Sequence, residues 1–206
     1  CCDSDKTLEN LARSARDRMS KQQLRFGIFT PVFLVLLVAA AWGLLNRFQS
    51  GVVLVEKWSV PLAAAAAEFG HEGPYLLAGL VYAESRGKAT AVSSVGALGL
   101  CQLMPSTAEE LAARYHVDGP PFSPEDNLRM GAAYWKELLR QKKGDVDLAL
   151  LSYRLGSTRV SRELKKHGSK EAWVKMMEAS KKTPWHYRSQ ILEYAQIFRR
   201  RAQEGE

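Results

Sequence analysis

From Phe26 to Leu45 the chain runs for about 20 residues without a charged side chain, between Arg25 and Arg47. Hydrocarbon offers a backbone no hydrogen-bond partners, so a run of this composition must satisfy its own N–H and C=O groups as a helix. About 20 residues is enough to cross a bilayer. A buried helix of a soluble protein is the plain alternative, and it fits poorly with so uniform a composition. Arg13, Arg16, Arg18, Lys21 and Arg25 precede the run, whereas only Arg47 and Lys57 follow closely, so the positive-inside rule sets the N-terminus in the cytoplasm. A cleavable signal peptide processed near Ala39-Ala40-Ala41 is the rival, but the leader would be long and the apolar run exceeds a usual signal core. The expected organisation is a cytoplasmic tail over 1–25, a transmembrane anchor over 26–45, a linker over 46–59 and one folded domain over 60–203.

That domain reads as all-α. Helical spacing extends over Ser123 to Gln141, Asp145 to Tyr153, Arg159 to Lys166, Lys170 to Ser180 and Pro184 to Arg201, and no alternating run argues for a substantial sheet. In the last of these Ile191, Leu192, Tyr194, Ala195 and Phe198 form an apolar face. A domain of about 150 residues can bury a single core, and 46% hydrophobic content with five Trp agrees. Ala63 to Ala67 reads as helix; no repeat and no other low-complexity stretch is evident.

Within the domain, Leu76, Leu77, Leu80 and Val81 recur at three- and four-residue spacing, and Glu84 continues that apolar stripe. Burial disfavours the charged form, so a carboxyl there should hold its proton nearer to neutral pH, as a general acid must. A Gly-rich polar loop follows, in which Gly96 and Gly99 permit a tight turn and close approach of a ligand. Pro105-Ser106-Thr107 then opens a new helix. Taken alone, a Glu-Ser pair at a helix end is only a boundary; helix, loop and helix together make one wall of a cleft.

These residues resemble the catalytic domain of lytic transglycosylases, in the soluble lytic transglycosylase and goose-type lysozyme superfamily. The resemblance rests on Glu84-Ser85, Ala91-Val92-Ser93, the pattern Gly-Ala-x-Gly-Leu-x-Gln-x-Met-Pro-x-Thr-Ala at 96–108, Asn127-Leu128-x-x-Gly131-x-x-Tyr134, and Ser152-Tyr153-x-x-Gly156. Ala65 to Gly70 and Pro74 to Leu77 look like the two helices that precede the catalytic Glu in that family. The likeness covers roughly residues 60–200.

What the resemblance implies is a lysozyme-like helical fold that cleaves the β-1,4 bond between N-acetylmuramic acid and N-acetylglucosamine in the peptidoglycan of the bacterial cell wall. Carried over by position, Glu84 would protonate the glycosidic oxygen and then, as carboxylate, take the proton of the muramyl C6 hydroxyl, giving a 1,6-anhydro end. Ser93, Gln102, Met104 and Tyr153 match residues that line the sugar site. Ser93 and Gln102 can hydrogen-bond acetamido and hydroxyl groups, Met104 offers an adaptable apolar surface, and the Tyr153 hydroxyl can orient the Glu or the N-acetyl group. Taken singly, Ser93 could be a turn residue and Met104 core filler. Glycosidases more often use two carboxylates; the motifs show no second one, which fits a substrate-assisted route. Asp118, Glu125 and Asp126 are candidates by sequence, the last two placed where helix N-terminal acids are expected. The alternatives are a hydrolytic muramidase of the same fold and a degenerate peptidoglycan-binding scaffold.

Two departures from the family pattern stand out: Arg154 where Ala-Tyr-Asn is usual, and Cys101 in the Met position of Gly-Leu-Met-Gln. An Arg close to Glu84 would favour the carboxylate and weaken the acid; it could instead face the anionic peptide or muramyl lactyl group. Cys101 is a milder change, since a free Cys behaves as a small apolar residue.

Net charge is +7, much of it in the C-terminal third. An extracytoplasmic domain rarely meets nucleic acid, so the positive balance suits anionic wall polymer or phospholipid headgroups, with a solvated helix face as the bland reading. Trp185, His186 and Tyr187 are placed at the cleft rim. His71, His116, His167 and His186 are scattered, and three Cys give no disulfide framework, so neither metal nor organic cofactor is expected. The chain opens on Cys1-Cys2 rather than Met, which reads as a fragment or a processed end. The expected protein is thus single-pass in the cytoplasmic (inner) membrane, its N-terminus cytoplasmic and its catalytic domain periplasmic, acting on glycan strands.

Overall fold

The structure, a computed structural model, describes residues 33–179 and 184–204. Two units are distinguished, one up to Gln49 and one from Ser50 onward. The described part of the first is the beginning of helix α1 (Phe33–Glu56), which displays Phe33, Leu34, Val35, Leu36, Leu37 and Trp42 outward, each more than half exposed. With a mean hydropathy of 1.4, α1 is the one helix among the described residues long and apolar enough to cross a membrane. The tail over 1–25 and residues 26–32 of the expected anchor lie outside the described residues.

The second unit opens on the end of α1. The stretch 46–59, expected as a linker, is helical up to Glu56, because Val52 and Val55, three residues apart on one helix face, are buried to 2% and 1% exposure. Then follow α2 (Ser59–Glu68), α3 (Tyr75–Ser85), a long loop, α4 (Pro105–Tyr115), α5 (Pro124–Gln141), α6 (Val146–Leu155), α7 (Ser157–His167), α8 (Lys170–Glu178) and α9 (Pro184–Glu204). The helices expected in the C-terminal half are thus present, with ends moved by a residue or two except at α9, which runs to Glu204. Among the described residues the only β pairing is two isolated antiparallel bridges in the long loop, Val92 to Leu98 and Leu98 to Leu103.

Sequence chemistry sets the helix starts. Ser123, Asp145 and Ser169 each accept a backbone N–H three residues on, at 3.0, 2.9 and 3.1 Å, and Pro124 and Pro105 occupy first-turn positions where no N–H is needed. Each such cap is worth about 1 kcal/mol.

The pair that positions the site is α3 against α9, running antiparallel: Tyr75 lies under Arg199, Gly79 beside Ile191 and Ala195, and Glu84 beside Tyr187. Gly79 makes the contact possible, since a Cβ there would fall 2.6 Å from the Ile191 carbonyl oxygen and 2.9 Å from the Ala195 nitrogen. A second apolar cluster of Leu151, Val160, Trp173 and Met177 joins α6, α7 and α8, with Trp185 of α9 packed on it.

Candidate active site

Glu84 sits in the last turn of α3, where Ser85 Oγ donates back to the Val81 carbonyl at 3.1 Å and Arg86 turns the chain out of the helix in the left-handed conformation, φ 55°. Of the expected stripe Leu77, Leu80 and Val81 are buried and Leu76 is half-buried, and it carries Glu84 to a half-buried position. Tyr187 reaches the carboxyl from the first turns of α9 and donates its phenolic O–H to Glu84 Oε1 at 2.5 Å. Above Tyr187, the Arg154 guanidinium of α6 lies 5.4 Å from the ring centroid, a cation–π distance.

Burial pushes the Glu84 carboxyl above its ordinary range, while the Tyr187 hydrogen bond and the Arg154 charge pull it back toward the carboxylate. Burial likewise raises Tyr187, Tyr153 and the Cys101 thiol, so these neighbours stay neutral around one ionisable acid. Asp126 is engaged with Ser123, whose hydroxyl meets Oδ2 at 2.6 Å in the cap of α5.

The loop after α3 is folded by its own polar groups. Ser93 Oγ accepts the Ala97 N–H at 2.9 Å while the Ser93 N–H donates to the Ala97 carbonyl at 3.0 Å. Gln102, at φ 47°, donates its side-chain amide to the carbonyls of Ala91 and Gly99 at 3.0 and 2.9 Å. Met104 is 43% exposed just before α4, and Val92 and Val95 are exposed on the same loop, which gives it an apolar rim. Asn127 of α5, 4% exposed, ties the loop down by accepting the Cys101 N–H at 2.8 Å and donating to the Leu98 carbonyl at 3.2 Å.

Tyr153 differs from expectation in its bond. Its hydroxyl donates to the Cys101 carbonyl at 2.8 Å, so it braces the loop, and the phenol that reaches Glu84 is that of Tyr187. Cys101 is buried, with its sulfur so close to Gly131 that a Cβ on that glycine would meet it at 2.3 Å. Of the residues singled out by sequence, the structure gathers Glu84, Tyr153, Arg154 and Cys101 together; the hydrogen bonds of Ser93 and Gln102 stay within their own loop. Sequence reasoning places Tyr187 only at the rim and gives Asn127 no role. The signal for Tyr187 is Gly79 in mid-α3 facing Ala195, a small-residue pairing that admits a close helix. Among the described residues no group of three or more His, Cys, Asp or Glu could hold a metal ion.

One carboxyl whose protonated form burial favours, with one oxygen held by a phenol, thus lies beside a loop with an exposed apolar edge, the setting of a group that can exchange a proton. Comparison with known proteins agrees. Residues 61–176 match the family described as "Transglycosylase SLT domain". A protein called "Transglycosylase" from Enterobacteria phage PRD1 is 39% identical over 105 residues, covering 51% of this chain and 37% of its own length. An inactive mutant of the lytic transglycosylase Slt from Pseudomonas aeruginosa superimposes with a TM-score of 0.59 at 29% identity, covering 69% of this chain and 24% of that one. The 70-kDa soluble lytic transglycosylase in complex with bulgecin A gives a TM-score of 0.55 at 22% identity, over 71% of this chain and 23% of that one, a likeness of fold. The chain thus spans well under half the length of these relatives, and the all-α, lysozyme-like fold is the part it shares with the two solved structures.

Proposed function

Since the chain belongs to the Transglycosylase SLT domain family, we propose that it is a peptidoglycan lytic transglycosylase in which Glu84 performs both proton transfers. The observation that carries this reading is a half-buried carboxyl whose protonated form burial favours, in a chain whose motifs offer no second carboxylate. An inverting hydrolase places its second carboxyl about 6.5–9.5 Å away to activate water, and a retaining one about 5 Å away as nucleophile. Glu84 alone can serve a reaction in which the substrate supplies its own nucleophile.

In that reaction the Glu84 proton passes to the glycosidic oxygen, and the bond from that oxygen to C1 of N-acetylmuramic acid breaks. The oxygen leaves as the 4-hydroxyl of N-acetylglucosamine. The Glu84 carboxylate then takes the proton of the muramyl C6 hydroxyl as its oxygen bonds to C1, which closes the 1,6-anhydro ring and restores the acid. No water is consumed. Ser93, Gln102, Met104 and Tyr153 are proposed to line the sugar site: Met104 through its exposed face, Gln102 through the amide oxygen that its two donated bonds leave available, and Ser93 and Tyr153 chiefly by shaping the loop.

We place the catalytic domain over 60–203, anchored by the apolar run over 26–45, with the N-terminus in the cytoplasm and the domain on the peptidoglycan side. The exposed apolar surface of α1 and the excess of basic residues before the run support this topology. The test of function is mass spectrometry of products from purified peptidoglycan incubated with the full chain, wild type and Glu84→Gln. Muropeptides one water lighter than reducing ends, lost by at least a hundredfold in the variant, are expected. Reducing ends would make the protein a muramidase, and the absence of any Glu84-dependent product would make it a glycan-binding scaffold.

A further inference from the structure

Resting on the reading of Glu84 as the acid that acts at muramic acid, we propose that Arg154 determines specificity: it receives a carboxylate on the C3 arm of that sugar, either the free lactyl group or the stem peptide joined to it. Arg154 stands where the family pattern has Asn, in the last turn of α6. A basic side chain is favourable at a helix C-terminus, but that gain is the same whatever the substrate. The residue is exposed, and its guanidinium lies over the ring of Tyr187, whose hydroxyl is bonded to Glu84. One phenol therefore separates the cation from the carboxyl. The cations that tie α8 and α9 to α6 are paired: Arg188 with Asp147 at 2.5 Å, and Lys170 with Asp145 and Asp147 at 2.6 and 2.9 Å. Arg154 has no carboxylate partner among the described residues. Contact with a ring face spends none of its N–H donors, and the guanidinium fork is shaped to take both oxygens of a carboxylate.

The chemistry of the substrate supplies the anion. The sugar whose C1 bond is broken at Glu84 carries its lactyl arm on the same ring, so a guanidinium one phenol away is within reach of that arm. Stripped of peptide, the arm ends in a carboxylate; joined to a stem peptide, it leads to the carboxylates of the peptide. The charge balance around Glu84 agrees. Burial favours the proton on this carboxyl, and the Tyr187 bond and the Arg154 charge oppose it, while Tyr187 of α9, Tyr153 of α6 and Cys101 of the loop are kept neutral by burial. In the free protein Arg154 thus works against the acid. A substrate carboxylate on its guanidinium offsets that charge and lets Glu84 hold its proton where the proton is needed. A neutral arm in the same place has neither effect.

The experiment measures kcat and KM of the full chain on solubilised peptidoglycan strands of three kinds. The first bear stem peptides, the second are stripped of them so that the lactyl carboxylate is free, and the third are either kind with its carboxyls converted to carboxamides. Arg154→Asn, which restores the residue of the family pattern, is expected to raise KM about tenfold on carboxylate-bearing strands with kcat little changed, and to match wild type on carboxamide strands. Arg154→Lys, a point charge without the fork, should recover part of that loss, and the wild-type preference for charged strands should narrow as salt is raised. A rise in KM on stripped strands assigns the lactyl group; a rise confined to peptide-bearing strands assigns the stem peptide. An equal rise on carboxamide strands, or no rise on any strand, would overturn the role, since a side chain that only steadied the helix or the ring does not read substrate charge. Should Arg154→Asn not fold, the wild type decides, because equal KM values for charged and carboxamide strands are incompatible with the proposal. Glu84→Gln separates the two levels of the argument. Activity retained in that variant defeats the reading of the site, whereas its inactivity beside an unaltered Arg154→Asn defeats only the specificity role.

Discussion

The loop over 91–104 closes largely on itself, through Ser93 with Ala97 and Gln102 with Ala91 and Gly99, whereas the cluster around Glu84 is brought together by α3, α6 and α9 from distant parts of the chain. In the loop the polar side chains of Ser93 and Gln102 serve the backbone, so they contribute to stability as much as to the site. In the cluster an ionisable group is held half-buried against its own solvation, which contributes little to stability and marks the group proposed above for proton transfer. Substitutions in the two regions should therefore separate along different axes, stability for the loop and activity for the cluster.

The sharpest test on the loop side is Asn127→Ala. It leaves the buried Cys101 N–H without its acceptor, at about 1–3 kcal/mol, and removes one of two donors to the Leu98 carbonyl, which keeps the Leu103 N–H at 3.1 Å. We expect a loss of about 2–3 kcal/mol once the lost packing of the side chain is added, read as a fall in Tm on the order of 4–10 °C by circular dichroism, with activity falling in step. An unchanged Tm would mean that the loop does not depend on α5. Next in size is Gly131→Ala, whose new methyl meets Cys101 Sγ; overpacking of this kind costs about 1–3 kcal/mol. Adding Cys101→Ala should recover part of the loss. A double variant no better than the sum of its parts would show that the thiol does not fill that space.

The same contrast governs what is legible in the sequence. Helix starts at Ser123, Asp145 and Ser169 are legible because a cap is a local bond between residues three apart. Glu84 is legible as a carboxyl on an apolar stripe for the same reason, since a helix makes spacing into a face. The partner of Glu84 is not. Tyr153 carries the motif and is the natural candidate, yet its hydroxyl goes to Cys101, and Tyr187 arrives from 103 residues away. That meeting depends on how closely α9 can lie on α3, which is settled by the absence of a side chain at Gly79 and by ion pairs between α6, α8 and α9; no periodicity reports either. The helical continuation to Glu56 is hidden as well, because Val52 and Val55 become an apolar face only once there is a core to receive them.

The smallest effect expected is also the one that best separates the two regions, because it runs against the usual direction of mutation. With Glu84 held above the ordinary carboxyl range in the folded chain, folding binds its proton more tightly than the unfolded chain does. Below the unfolded value of about 4.3 the group is protonated in both states and carries no penalty from ionisation. As pH rises past that value the unfolded chain ionises first and gains free energy that the folded chain does not. Stability therefore falls until the pH has passed the folded value, and the deficit is complete above it. Glu84→Gln cannot ionise and still accepts the Tyr187 O–H, so at neutral pH it should unfold a few degrees higher than wild type, on the scale of about 2–4 °C per kcal/mol for a chain of this size. The advantage should shrink on acidification toward pH 4. A gain of equal size at both pH values would trace to packing rather than to the carboxylate. A loss at neutral pH would mean that Glu84 stabilises the fold as the loop residues do, and the division between the two regions would not hold.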